Sequence, residues 1–145
     1  MIPILYRGKS QETDEWLTNS GIIYDDEICT RIGILDSMAG DFEDVRAMTV
    51  SQFTGLYDCK GKRIFENDVV RVGGLTGVIM WHPYLTCFCI NADGKEPTLN
   101  DTYATLGEMW KSYRHDITVI GNVFEPQYTG KTYEQVLNEL NKSRR

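Results

Sequence analysis

Glu66 and Asp68 stand two residues apart, a spacing at which paired carboxylates can divide general acid and base work. A tight corner ahead of a strand calls for the same polar residues, and that is the plainer reading of the pair. His82, flanked by Trp81 and Pro83, is the best single candidate for a general base. A lone histidine at a strand end usually sits in a structural hydrogen bond instead. His115 and Asp116 are sequential, so on a strand they face opposite ways and cannot form a dyad. Of the four cysteines, Cys29, Cys59, Cys87 and Cys89, the last two share one strand face, too close for an easy disulfide. There is no Cys-x-x-Cys pair or matched histidine pair, so neither a metal site nor a cofactor is expected. Gly73-Gly-Leu-Thr-Gly77 is glycine-rich, but no helix follows to complete a phosphate cradle. Nucleophile-elbow, P-loop and metalloprotease patterns do not occur. The expectation is a protein that is not an enzyme.

An aromatic set remains. Trp81, His82, Tyr84, Trp110 and Tyr113 are the candidate partner-binding residues, because small β domains recognise peptides through aromatic grooves. Trp16 and Phe88 belong to the same set as core or patch.

The chain of 145 residues is 41% apolar and 25% charged, which excludes a disordered polymer. No apolar run approaches the ~20 residues of a membrane helix, and the amino terminus lacks the pattern of a secretory leader. The expected setting is therefore the cytoplasm, with reduced thiols and no membrane partner. Net charge is -6, and all of it lies in residues 1 to 70, with 7 basic and 13 acidic side chains. The excess sits mainly between Asp25 and Asp44, either a solvated flank or a docking surface for a basic partner. Acidity makes nucleic acid an unlikely partner, since phosphate contacts supply most of such affinity. The short basic tail Lys142-Ser-Arg-Arg145 suits a helix end.

Many short strands separated by turn signals must position these residues. Strands are predicted near 2–7, 16–24 (with a bend at Asn19-Ser-Gly21) and 28–35, followed by an acidic loop over 36–44 whose end could make a helical turn. Asp58-Cys-Lys-Gly61 fits a type I turn with a glycine bulge, joining strands at 52–57 and 62–65. Glu66-Asn67-Asp68 is a second corner, with Asn67 left-handed. Strands follow at 69–72 and 77–81, then an alternating strand from Tyr84 to Ile90 with two apolar faces. Asn91-Ala-Asp-Gly94 is a turn and 95–101 a loop; 106–113 is a short helix or an irregular strand, and 117–124 a buried strand. Thr132-Tyr-Glu-Gln135 opens the clearest helix with a capping box. Its stripe of Tyr133, Val136, Leu137 and Leu140 docks on its own domain or on a neighbouring copy, making a homo-oligomer.

The segment Gln52-Phe-Thr-Gly-Leu-Tyr-Asp-Cys-Lys-Gly-Lys-Arg-Ile-Phe-Glu-Asn-Asp-Val-Val70 resembles the signature of the YopX family, encoded by bacteriophages and prophages. The family reads Q-[YF]-T-G-L-x-D-x-x-G-x-x-[IV]-[YF]-E-G-D-[IV]-[IV] there. Tyr6-Arg-Gly-Lys9 with Glu15-Trp16 and Gly21, and Val119-Ile-Gly-Asn-Val-Phe-Glu125, are similar to its flanking patterns. Asn67 stands where glycine is usual, and Glu125-Pro-Gln-Tyr128 alters the usual ending. The resemblance implies an SH3-like barrel and carries over no catalytic residues.

The expectation is a mainly β single domain over 1–145: an N-terminal β extension (1–48), an SH3-like barrel core (49–125), and a tail with a C-terminal α-helix (126–145). The expected function is a phage or prophage accessory protein that binds a host or phage protein, or self-assembles, without catalysis. The alternatives are a nucleic-acid-binding regulator and, further off, an enzyme of unrecognised type.

Overall fold

A computed structural model describes residues 4–25, 29–33, 41–100 and 103–142. The start (28) and end (34–35) of the strand expected over 28–35, the part of the expected acidic loop over 36–40 and the basic tail beyond Lys142 lie outside the described residues, as does the side chain of Cys29. The chain divides into two compact units, Met1–Gly55 and Leu56–Arg145. The sequence placed its inner boundary at 48/49.

In the first unit, strands β1 (Tyr6–Lys9) and β2 (Trp16–Asn19) form a hairpin, and β3 (Ile22–Asp25), β4 (Cys29–Gly33) and β5 (Phe42–Val45) form an antiparallel meander. The reversal between β1 and β2 is held by the Ser10 hydroxyl, which accepts from the Glu12 and Thr13 amides. Arg7 and Lys9 are buried on one face of β1, and both cations lie over the Trp16 ring, at 4.3 and 5.4 Å from its centroid. The ring's negative face offsets part of their desolvation. Ile32, Val45 and Phe53 form the buried apolar set of this unit.

Residues 42–45 correct the expected loop over 36–44. Phe-Glu-Asp-Val is poor in strand formers, yet it pairs along β4 because Val45 is wholly buried while Asp44 points outward to Arg31 at 2.9 Å. The helical turn falls just after it, as one 3₁₀ turn at Ala47–Thr49.

Strand β6 (Ser51–Tyr57) carries the chain into the second unit; its first residues pair with β1. The Asp58–Gly61 turn then leads to β7 (Arg63–Phe65) as expected. Gly61 sits at φ +80°, where a side chain would be strained. The Asp58 carboxylate accepts from the amides of Lys60 (2.9 Å), Lys62 (2.8 Å) and, 61 residues away, Val119 (3.0 Å).

Five strands follow in the order β11-β10-β9-β8-β12: β8 (Asp68–Val72), β9 (Leu75–His82), β10 (Cys87–Asn91), β11 (Ala104–Thr105) and β12 (Thr118–Asn122). All pairings are antiparallel. Helix α1 (Leu106–Tyr113) settles the ambiguous segment as a helix, capped by Thr105, whose hydroxyl accepts from the Glu108 amide. Helix α2 (Tyr133–Lys142) begins with the expected reciprocal box: the Thr132 amide donates to Gln135 Oε1 at 2.9 Å, and the Gln135 amide to Thr132 Oγ1 at 3.2 Å.

The mainly β class and the C-terminal helix stand. Closure does not: among the described residues there are three antiparallel sheets, none closed into a barrel. The reason lies in the strands themselves. Val70, Val72, Ile79, Ile90 and Val119 face one core with Leu106 of α1, while Val69 and Val78 face a second with Val123, Val136 and Leu137. A sheet that is apolar on both faces needs cover on both, and a helix on each side supplies it. The stripe of α2 is thus packed on its own unit, where burial of Val136 and Leu137 contributes roughly 2 kcal/mol each.

Burial raises the Asp58 pKa, but the three amide bonds from Val119, Lys62 and Lys60 and the Lys62 charge outweigh it and hold the carboxyl below its ordinary value. A depressed folded pKa means that the stabilisation is complete above about pH 4 and is lost as pH falls through the folded value. We expect Asp58→Asn, which turns an amide toward one of the three donors, to cost about 2 kcal/mol at pH 7. In urea unfolding the gap between wild type and variant narrows below about pH 4.

Candidate functional site

The reversal between β9 and β10 carries three of the five candidate residues. Tyr84 to Thr86 are not strand, as the alternation suggested, but the turn itself. Pro83 withholds a ladder amide, and the Thr86 amide closes the turn on the His82 carbonyl at 2.8 Å. His82 is completely buried, and its Nδ1 accepts from the amides of Tyr84 (3.3 Å) and Leu85 (3.1 Å). The ring is thus held as a cap on two backbone amides. Its ring also packs edge-on against Tyr84 and Tyr103. Thr86 sits at φ +51°, a strained position for a β-branched residue. Above this anchored tip Trp81, Tyr84 and Leu85 are exposed at 45%, 56% and 43%.

Trp110 and Tyr113 lie elsewhere, on α1. The Trp110 indole donates to the Tyr57 carbonyl at 3.0 Å and its ring packs on the α1-side core, with Arg114 over one face. Tyr113 is exposed. No ring contact joins Trp81 or Tyr84 to either of them; Trp81 instead meets Phe88 edge-on at 5.2 Å.

The other chemical candidates separate as well. Asp68 is buried and accepts from the Phe65 amide at 2.8 Å, capping the corner, while Glu66 turns toward a cleft. Asp116 accepts from the Gly73 amide at 2.7 Å, and His115 is exposed. Cys87 and Cys89 have sulfurs 4.0 Å apart, and burial together with Cys87 pushes the Cys89 thiol up to about 12, far from a reactive thiolate.

That cleft, of about 950 Å³, opens on the second unit. Trp81, Pro83, Met80 and Pro97 are among its apolar lining residues, and Glu66, Glu96 and Tyr133 among its polar ones. Its shape follows from local rules. Asn67 takes the left-handed corner at φ +70°, as expected, and its side-chain oxygen accepts from the Tyr133 hydroxyl. The Asn91 side chain donates to the Lys95 carbonyl (2.9 Å) and accepts from the Gly94 amide (2.7 Å), folding the 91–97 loop into a wall. Gly94, at φ +74°, lies so close to α2 that a Cβ would stand 2.4 Å from the Glu134 backbone. Burial raises the Tyr133 pKa, and the charges of Glu66 and Glu96 raise it further. Sequence reading found Trp81 and the Asn67 and Asn91–Gly94 turns. It missed Glu96, Pro97 and Glu134, whose loop and helix-start positions carry no periodic signal.

The family model described as YopX protein matches residues 5–127. None of the curated proteins matches the chain.

We expect Gly94→Ala to cost at least about 2 kcal/mol, from positive φ and from the clash with α2. Hydrogen exchange should speed up in the first turn of α2. Asn67→Gly should stay within about 1 kcal/mol of wild type, because eased backbone strain offsets the lost hydroxyl partner. Asn67→Val should cost about 2 kcal/mol or more in the same urea titration.

Proposed function

The chain belongs to the YopX family, and from that membership we propose that it is a phage or prophage accessory protein of the bacterial cytoplasm that binds a protein and catalyses no reaction. The family resemblance brings an SH3-like ancestry with it, and we read the tight-cornered strands β6 to β9 as an opened form of that barrel. One observation carries the binding reading. The β9–β10 tip is anchored from inside by a buried histidine, is strained at Thr86, and presents Trp81, Tyr84 and Leu85 to solvent. Backbone strain persists where surrounding structure over-determines it, and such places cluster at ligand contacts. Clustered exposed aromatic and apolar side chains on a rigid turn are what a protein interface uses as anchors. The non-catalytic reading is supported by the state of His82: the best candidate base is spent on two backbone amides.

The test is affinity capture from infected host cells with wild type and with Tyr84→Ala/Leu85→Ala. Both side chains are exposed, so the variant should keep its stability within about 0.5 kcal/mol. Wild type should recover a protein that the variant loses at least tenfold. Recovery of no protein above a mock bait, or equal recovery by both baits, would overturn the reading.

A further inference from the structure

We propose that the cleft beside the β9–β10 tip receives a basic, extended segment of the protein partner, with a lysine or arginine side chain lying along Trp81 and its charge directed at Glu66 and Glu96. This deepens the protein-binding reading and rests on it.

The groove is lined by apolar and by charged side chains together. Trp81 is nearly half exposed and lines it with Pro83 and Met80, so its indole offers both an apolar surface and the negative face that attracts a cation. A long basic side chain can lay its methylene stem on such a surface while keeping its head among polar groups.

The balance of charge selects the sign of that head. Glu66, Glu96 and Glu134 line the cleft, against Lys95 and Lys131. Lys131 is already engaged by Glu139. The hydroxyl of Tyr133 registers the result, since the two carboxylates that disfavour its ionisation are Glu66 and Glu96. A phenolate is opposed at this place and a cation favoured by the same field. An acidic or neutral proline-rich segment would meet the walls equally well but would find no partner for its charge or none to give.

The probe is a capped hexapeptide alternating lysine and alanine, with a glutamate-for-lysine counterpart, titrated into the full chain and followed by amide and indole NMR shifts. Saturable shifts should appear at the Trp81 indole, at 66–67 and at 95–96 with the lysine peptide alone. Glu96→Gln, on an exposed loop, should weaken binding at least threefold, and Glu66→Gln/Glu96→Gln at least tenfold. Asp41→Asn/Glu43→Gln/Asp44→Asn, which neutralises acids of the first unit, should leave it unchanged. Equal binding of the two peptides, no saturation, or a loss no greater in the cleft variants than in the first-unit variant would overturn the proposal. If it falls while capture still depends on Tyr84 and Leu85, only the ligand class is wrong. If that capture fails too, the protein-binding reading goes with it.

Discussion

The second unit depends on one left-handed corner. At Asn67 the chain passes from β7 of one sheet into β8 of another through a tight corner with positive φ. The backbone of that residue is then spent in two directions: its amide donates to the Ile79 carbonyl on β9, and its carbonyl accepts from the Val123 amide after β12. A glycine would serve both bonds equally well, and glycine is what the family pattern places there. Asparagine adds an acceptor that receives the Tyr133 hydroxyl and so fixes the start of α2. One residue of modest backbone cost thereby joins the strands on either side of β8 to the helix that covers one face, and it lines the cleft.

The two-sided sheet explains why the corner matters. Every second residue of β8 and β9 belongs to a different core, so a shift of one position would exchange the α1 side for the α2 side throughout. The bulge between Val119 and Gly121 keeps β12 in step with β8 where the two helices make opposite demands. Asp58, bonded to the Val119 amide, pins the same strand just before that bulge. Cover by helices ends at the far end of β9. There Trp81 and the turn beyond it emerge into solvent, so the exposed aromatics lie where the layered architecture runs out.

What was legible in the sequence was chemistry confined to a few neighbouring residues. The Asp58–Gly61 turn, the Asn67 corner, the Thr132–Gln135 box and the stripe of α2 are each encoded within one turn or one helix, and the structure has them as read. The extent of the sheet was not legible in the same way. Phe42–Val45 becomes a strand only because β4 offers it an edge and Arg31 a counter-charge. Tyr84–Thr86 alternate like a strand, yet the imidazole of His82 takes the amides of Tyr84 and Leu85, and the His82 carbonyl that of Thr86, out of any ladder. Whether short strands close into a barrel depends on what covers each face, which no local pattern states. The cleft was the least legible feature, since Trp81, Glu66, Glu96 and Tyr133 come from four separate segments.

Titratable residues in this unit divide by whether the backbone claims them. Asp58, Asp68, Asp116 and His82 all accept from main-chain amides at turns, and each is thereby fixed in a single orientation suited to folding. Glu66 stands two residues from Asp68 but on the other side of the corner, and Glu96 sits on a loop whose shape Asn91 already holds. These two carboxylates line a space that an indole and two prolines also line. Short side chains, Asp and Asn, do the holding here, at their own turns and, for Asp58, Asp116 and Asn67, on groups that the fold brings to them from far along the chain. The longer side chains of Glu66 and Glu96 are found in the lining of the cleft.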